Sequence, residues 1–575
     1  MIRKTGADTD IKYFDTDLLI IGGGTAGCFA AVEARKHDSN LSITIMEKAH
    51  ILRSGACSAG LDAINTYIPE DKTPEDLVRW CRDQVGGGPL REDLALSNSR
   101  ELNEAVEDLE RWGVPFIRDE NGKVSYRGKW DISIHGEQLK PVMAEKAIEA
   151  GAVIHNRVTA TQLLMDQGRC VGAVGFSVRT GCFHVYRAKA AINATGGACG
   201  LYRSYTSDAT GSHHQTWMCP YCVGTGYALG IRQGAELTSM EQRWVATRSK
   251  DFCGPIDTIS VGYKAPIINA RGERIMKHYE HLGGDAAPRF IRANAPMEEW
   301  LAGRAPTYCD TTHLTPEKAQ AMLVDYLNER PSFVLFLAAR GQDVTREPIE
   351  IYGSDPYIVG GHTQSGFWVD QDRMTTIPGL YAAGETAGGH PNKFVGGCAA
   401  EGKIAARSAL AYMKGLAHPA TEALAPQLEK ELARVYAPLL RARSGQGGIR
   451  PVEMEERMQR LMDEYAGGVS QFYRTNEERL DYALRELDRL RAQVGFLVAA
   501  DWHDLLLAHD VIDRLDVARI LCHHLKARKE TRWPGWQTRS DYPAIDPALN
   551  CFIESRQNPE TGEIEMFTRP YEQFV

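Results

Sequence analysis

The stretch from Asp17 to Ala31, DLLIIGGGTAGCFAA, restricts the fold more than any other part of this 575-residue chain. Four apolar residues, Leu18 to Ile21, run directly into Gly22-Gly23-Gly24-Thr25-Ala26-Gly27 and then into small apolar residues. A continuous apolar run fits a strand buried on both faces, and the glycines mark a turn without room for side chains. Residues 17–21 read as a strand, 25–37 as a helix and SITIMEKA (42–49) as the next strand, a single β-α-β unit. In that context Gly22 permits the tight turn, Gly24 lets backbone approach a pyrophosphate and Gly27 lets the helix pack close to the strand, while Thr25 and Ala26 open the helix beneath the phosphates. Glu47 ends the second strand, twenty residues after Gly27, and its carboxylate can accept hydrogen bonds from both hydroxyls of a ribose. Lys48 follows it into the same turn.

Two further apolar runs end in small residues: AINATGGACG (191–200), with Ala194, Thr195, Gly196 and Gly197, and GLYAAGETAGG (379–389), with Gly384 and Glu385. Each reads as backbone lying close to one extended ligand. Three such elements spread over roughly 370 residues imply an α/β Rossmann-like binding domain, residues 1–245 and 375–420, interrupted by an inserted α+β capping domain at 246–374. Beyond it, LEKELARVYAPLL, MEERMQRLMDEY and LDYALRELDRLRAQVGFL carry apolar residues at three- and four-residue spacing, so 421–575 reads as a helical C-terminal domain. The length demands several domains in any case, because single cores stop growing beyond about 250–300 residues.

Net charge of −9 and a pI of about 6.1 speak against a nucleic-acid partner. The N-terminus MIRKTGADTDIKYFDTD lacks the apolar core of a secretory signal, and no stretch approaches the ~20 uninterrupted apolar residues of a membrane span, so a cytoplasmic chain with no membrane insertion is expected. Thirteen cysteines are too few in this length for a disulfide scaffold.

Gly22 to Gly27, Glu47, RSGACSAGLDAINTYI (53–68), ATGG (194–197) and GLYAAGE (379–385) together resemble the FAD-binding domain of the succinate dehydrogenase and fumarate reductase flavoprotein family. Within it, WDISIHGEQLKP, GAVGFSVR, RWVATRSKDFCGP, PYIVGGH with GFWV, DRMTT, NKFVGGCAAEGKIAA, MDEYAGG and RKETRWPG with DYP resemble the branch of adenylylsulfate reductase α subunits over nearly the whole chain. The resemblance implies FAD as cofactor, with the glycines on its diphosphate and Glu47 on its ribose. Succinate dehydrogenases attach the flavin through a His that follows Arg-Ser; here the tripeptide is Arg53-Ser54-Gly55, which implies noncovalent FAD with Ser54 and Gly55 beside it.

The resemblance also assigns site residues. Arg248 stands where the reductases bind the substrate oxyanion, Asn65 matches an amide near the flavin, Glu137 a site carboxylate and Trp217 an aromatic flanking the flavin ring. Ordinary structural roles compete with each: a salt-bridged Arg, a loop-capping Asn, a helix-capping carboxylate, a core Trp. The segment His390-Pro391-Asn392-Lys393-Phe394 departs from the expected Asn-Pro-His-Lys-Phe, exchanging an imidazole and an amide, so that His390 or Asn392 shapes the site. Ala287-Pro288-Arg289, with Arg292 nearby, matches the proton-donor segment of fumarate reductases, whereas Pro356 replaces their substrate His and His362 follows as in adenylylsulfate reductases. Cys219-Pro220-Tyr221-Cys222 reads either as a dithiol of lowered pKa or as two packed thiols, and no cysteine spacing fits an iron–sulfur cluster or another metal site.

Three readings of function follow. The resemblance favours a catalytic FAD subunit that converts adenylylsulfate and two electrons to sulfite and AMP, or the reverse, on a small anionic substrate. A fumarate- or enoate-type reductase, with Arg289 or Arg292 as proton donor, is the second; an electron-relay flavoprotein without its own substrate is the third. The family also implies, as electron partner, a ferredoxin-like iron–sulfur subunit. For it RKETRWPGWQTRSDYP (528–543) and FTRPYEQFV (567–575) offer aromatic and Arg residues of the kind enriched at interfaces, unless these close the chain's own core.

Overall fold

Leu18, Leu19, Ile20 and Ile21 have between 0% and 2% of their surface exposed, because the strand they belong to is covered on both faces. The structure, a computed structural model, describes residues 10–58, 60–204, 218–252, 254–256 and 258–575. Its main sheet has seven strands: β1 (Ile11–Ile21), β2 (Ile43–Glu47), β3 (Val153–Asn156), β4 (Val158–Asp166), β5 (Arg169–Ser177), β6 (Phe183–Asn193) and β7 (Leu380–Ala382). The order is β3-β2-β1-β6-β5-β4, and β7 also pairs β6. β1 runs parallel to β2 and to β6, β7 runs parallel to β6, and β4-β5-β6 form an antiparallel meander.

Alternation along β1 feeds two cores. Leu18 and Ile20 pack with Ala30 and Ala34 of helix α1 (Thr25–His37) and with Ala399 and Ala406 of helix α2 (Phe394–Met413). Leu19 and Ile21 pack on the opposite face with Leu515, Ala518 and Leu521 of the helix Trp502–Ala527. Small residues set the spacing on the first face: a Cβ at Gly402 of α2 would lie 2.2 Å from the Ala26 carbonyl oxygen of α1. The run NKFVGGCAAEGKIAA is therefore a contact surface between two helices.

A second, antiparallel sheet of four strands occupies the region read as an insertion, in the order Thr247–Ser249, Ile349–Gly353, Thr307–Cys309, Ile267–Ile268. Its core gathers Phe252, Phe290, Phe333, Trp533 and Trp536. The C-terminal region holds helices Thr421–Arg443, Pro451–Tyr465, Glu477–Ala492 and Trp502–Ala527. To these the structure adds a β-hairpin, Cys551–Gln557 with Ile564–Pro570, whose first strand pairs Leu237–Thr238. Among the described residues, no helix is long and apolar enough to cross a membrane.

The segment 528–543 belongs to the chain's own interior. Arg528, Trp533 and Arg539 are fully buried and Trp536 nearly so. Arg528 donates to Glu241 at 2.6 Å and to Glu530 at 2.9 Å, and Arg532 donates to Glu530 at 2.7 Å. Guanidiniums are buried when each finds a carboxylate, and here the pairing is complete enough to take a basic, aromatic sequence inside. The tail is tied down as well: Tyr571 donates to Glu92 at 2.7 Å, and the N–H groups of Phe574 and Val575 donate to the same carboxylate. An exposed docking surface along 528–543, one of the two readings above, is thereby replaced by the core reading.

Candidate active site

The register of the main sheet brings the three glycine-rich turns together. Ile21 pairs Asn193, and Asn193 pairs Ala382, so three parallel strands end at the same level. The Ala194 N–H donates to the Ile21 carbonyl at 2.8 Å and the Ala383 N–H to the Asn193 carbonyl at 3.0 Å. One cleft opens above these ends, lined by Gly22, Gly24, Thr25, Ala26, Glu47, Lys48, Ser54, Gly55, Ala194, Thr195, Gly196, Gly384 and Glu385. Gly27 and Gly197 stand behind it. A Cβ at Gly27 would lie 2.0 Å from the Gly22 carbonyl oxygen and one at Gly197 would lie 2.3 Å from that of Ile358. Gly24 differs: a Cβ there would meet only the Ala194 carbonyl oxygen, at 3.9 Å. The protein itself has no packing reason for glycine at position 24, whereas a diphosphate lying on the N-terminal turn of α1 does. The residues present fit a dinucleotide.

Glu47 is prepared as an acceptor. Its Oε2 accepts from the Gly23 N–H at 2.8 Å and from the Ser54 hydroxyl at 3.0 Å, and its Oε1 accepts from the Ala49 N–H at 2.7 Å. A carboxylate has about four acceptor positions, which leaves capacity for a ribose hydroxyl on the cleft side. Lys48 donates to Asp510 at 2.6 Å and to the Tyr221 carbonyl at 3.1 Å, fastening the cleft's rim to the helix Trp502–Ala527. Burial pushes the Glu385 carboxyl up to about 7 against the Gly197 N–H that donates to it. Trp217 lies outside the described residues.

Beyond the glycine turns the same cleft takes in Asn65, Arg127, Thr258, Arg289, His362 and Phe394. Arg127 donates to the Asn65 side-chain oxygen at 3.2 Å and forms an ion pair with Asp62. The Arg289 guanidinium sits 5.0 Å from the centre of the Phe394 ring. Phe394 meets His362 edge-on at 5.0 Å, and His362 packs against Trp244 at 4.8 Å. Two guanidiniums, an imidazole and an amide thus face one space, a set of donors suited to a small oxyanion.

Of the candidate catalytic residues named from the sequence, Asn65 and Arg289 reach this space, as does His362, and Arg248, Arg292, Glu137, His390 and Asn392 do not. Arg248 is buried on the strand Thr247–Ser249, where it donates to the Gly353 carbonyl at 3.1 Å and the Phe252 carbonyl at 3.3 Å. It stands one bridge behind Pro255, which does line the cleft. Arg292 donates to the Ala287 carbonyl at 3.1 Å and lines a small cavity behind Trp244 and Arg289. Glu137 is exposed at the surface. His390 and Asn392 are buried away from the cleft. His390 lies 3.1 Å from Glu401, and burial pushes its imidazole down to about 4, so it is neutral near pH 7. Asn392 contacts the Cys81 sulfur at 3.8 Å. The exchanged pair shapes the turn before α2, with Glu401 held charged, despite its burial, by Arg373 and Lys393. Sequence reading passed over Arg127, and noted His362 without placing it; the fold carries Arg127, on the loop between the helices Glu92–Arg111 and Leu139–Glu149, to Asn65, and His362 to the same cleft.

The family described as "FAD binding domain" matches residues 17–400. The alpha subunit of the adenylylsulfate reductase of Megalodesulfovibrio gigas is 30% identical over 99% of this chain and 97% of its own length. The structure of adenylylsulfate reductase from Archaeoglobus fulgidus superimposes with a TM-score of 0.93 at 34% identity, covering 99% of this chain and 97% of that one. The fumarate reductase flavoprotein subunit of Mycobacterium tuberculosis is 27% identical over 92% of this chain and 92% of its own length.

Proposed function

The chain belongs to the FAD binding domain family of flavoprotein oxidoreductases, and on that premise we propose that it is the catalytic subunit of an enzyme that reduces adenylylsulfate to sulfite and AMP, or runs that reaction in reverse. It is an FAD-dependent oxidoreductase. The observation that carries the substrate assignment is the group of Arg127, Arg289, His362 and Asn65 in the cleft that holds the glycine cradle. Bound FAD supplies the two electrons. As they arrive, the bond between sulfur and the bridging phosphate oxygen breaks; sulfur keeps an electron pair as sulfite and the oxygen leaves with AMP. The products together carry two more negative charges than adenylylsulfate. Side chains of fixed positive charge therefore interact more strongly as the reaction advances, which is the condition for lowering the barrier rather than merely binding substrate. Arg289 and Arg127 hold the oxyanion, Asn65 orients Arg127, His362 closes the wall, and Arg248 positions Pro255.

Anaerobic assays with the purified enzyme distinguish the readings. Sulfite oxidation with an artificial acceptor should depend on AMP, and adenylylsulfate should be reduced by a low-potential donor. Fumarate reduction without response to sulfite plus AMP would overturn the proposal in favour of the reading in which Arg289 is a proton donor, and inertness toward both would leave the electron relay.

The FAD is held without a covalent bond. Gly55, with φ +76°, stands where a flavin-linking His would, and burial pushes the neighbouring Cys57 thiol up to about 11, which keeps it protonated and poorly nucleophilic. Acid precipitation should release all flavin to the supernatant; flavin fluorescence retained on the denatured chain would refute this.

Electrons need a route to the cleft. Among the described residues no group of His, Cys, Asp or Glu is arranged to hold a metal, and the relatives are named as subunits. The proposed enzyme includes a ferredoxin-like iron–sulfur subunit, expected to co-purify from the native source with stoichiometric iron. Full turnover with the physiological donor by the flavoprotein alone would show it to be unnecessary.

A further inference from the structure

The Cys219-Pro220-Tyr221-Cys222 turn plays no part in the chemistry above, yet it is built more rigidly than a surface turn requires. The Cys222 N–H donates to the Cys219 carbonyl at 2.9 Å. A turn closed in this way holds its end Cα atoms within about 7 Å, close to the span that a disulfide bridges. Every carbonyl of the turn has a donor. The Cys199 thiol reaches those of Cys219 and Cys222 at 3.0 and 3.1 Å, Arg514 that of Pro220 at 3.2 Å, and Lys48 that of Tyr221 at 3.1 Å. Pro220 and Tyr221 are exposed, Cys219 and Cys222 are half-buried, and both cysteines line the rim of the cofactor cleft.

We propose that Cys219 and Cys222 form a thiol–disulfide exchange site at the rim of the cleft, with Cys219 as the attacking sulfur, Cys222 as the resolving sulfur and a small-molecule disulfide as the oxidant. The two thiols are electronically unequal. Hydrogen bonding with Cys222 and with the Tyr221 N–H, together with the Lys48 ammonium, outweighs burial and holds the Cys219 thiol down to about 6; Cys222 is pushed well above the usual thiol range. A thiol whose pKa lies near ambient pH combines thiolate fraction with nucleophilicity, the optimum for exchange. The Cys219 thiolate attacks one sulfur of the disulfide R–S–S–R, forming a mixed disulfide and releasing R–S⁻. Cys222, losing its proton, attacks the Cys219 sulfur and releases the second R–S⁻. Two cysteine thiols are oxidised to one disulfide, one small disulfide is reduced to two thiols, and the two thiol-derived protons end on the released thiolates at acidic to neutral pH. The reaction needs neither adenylylsulfate nor turnover of the flavin.

Tryptic cleavage after Arg203 and Arg232 isolates both cysteines, with no other, on one peptide, residues 204–232. Flavin-loaded protein equilibrated in glutathione buffers of graded ratio, acid-quenched, alkylated and digested should carry two labels on this peptide under reducing conditions and none, with an internal disulfide, under oxidising conditions. In Cys222→Ala the peptide should instead accumulate one glutathionyl adduct at Cys219, and in Cys219→Ala it should remain almost free of adduct. In reduced wild-type protein, alkylation of Cys219 should be half-maximal near pH 6, a midpoint that Cys222→Ala shifts upward. Two labels on the wild-type peptide at every glutathione ratio, a wild-type adduct that never closes to the disulfide, or equal glutathionylation of the two variants would overturn the proposal.

Discussion

Replacing Arg289 by alanine should lower kcat/KM for adenylylsulfate about 10²- to 10³-fold while leaving FAD content at the wild-type level, the magnitude usual for one donor aimed at developing charge. The expectation rests on position. Arg289 opens the helix Arg289–Leu301 directly after Pro288, whose fixed φ turns the chain so that the first side chain of the helix projects over Phe394 into the cleft. Its charge is fixed at any working pH, and its planar fork can meet two oxygens at once. Arg289→Lys keeps the charge and loses the fork, so it should recover only part of the rate. Arg248, to which the family resemblance assigned the oxyanion, supplies the contrast. Its Nε and Nη1 groups donate to the carbonyls of Gly353 and Phe252, so Arg248→Ala should show its main effect as a lowered Tm of the protein, with catalysis falling only as far as Pro255 shifts in the cleft wall. Side-by-side steady-state kinetics and thermal unfolding of the two variants decide the matter. An Arg289→Ala enzyme within about threefold of wild type, or an Arg248→Ala enzyme of unchanged Tm and abolished turnover, would move the oxyanion site to Arg248.

What could be read in the sequence is what the backbone itself imposes. The glycines at 22, 24 and 27, the carboxylate ending β2 and the two later small-residue turns are local requirements of a chain that passes close to a ligand or to itself, and each was visible without knowledge of the rest. The facing side chains were not visible in that way. Arg127 sits on a loop between the helix Glu92–Arg111 and the helix Leu139–Glu149, and its relevance comes only from its contact with Asn65, 62 residues earlier. His390 and Asn392 show the opposite error. They stand close in sequence to Phe394, which does line the cleft, but Asn392 and Phe394 both have positive φ, +60° and +47°. Successive side chains in such a turn point in unrelated directions: Phe394 toward His362, Asn392 toward Cys81, His390 toward Glu401. Proximity in sequence is a poor guide where the backbone leaves the extended and helical regions. The segment 528–543 was open to two readings for a different reason. Arg and Trp are enriched both at interfaces and in paired, buried networks, and only the positions of Glu241 and Glu530 decide between them.

Gly24 and Gly27, three residues apart, should respond to the same substitution in opposite ways. Alanine has a helix preference of about 1 kcal/mol over glycine in helix interiors, so Gly27→Ala taken locally would stabilise α1. The structure reverses that sign. The added Cβ would lie 2.0 Å from the Gly22 carbonyl oxygen, a contact of backbone with backbone that no rotamer change relieves, so α1 must move away from β1. Both cores meet along that strand, and the displacement also opens the turn that faces the diphosphate. Gly27→Ala should therefore cost more than about 3 kcal/mol of stability, in the class of severe core lesions, and yield protein that is aggregated or free of flavin. At Gly24 the added Cβ meets nothing closer than 3.9 Å, and φ is −71°, which any residue adopts. Gly24→Ala should lose only the N-cap preference of glycine over alanine, about 1 kcal/mol or less, and fold with a Tm a few degrees below wild type. Its defect should lie in the cofactor, because the methyl group occupies the approach that the diphosphate needs, and FAD affinity should fall at least about tenfold, or about 1.4 kcal/mol. Chemical denaturation of apoprotein, paired with FAD titration by fluorescence quenching, separates the two effects. A stable Gly27→Ala protein of normal FAD content would show that α1 and β1 are not packed as described, and a Gly24→Ala protein with undiminished FAD affinity would remove the diphosphate from the N-terminus of α1.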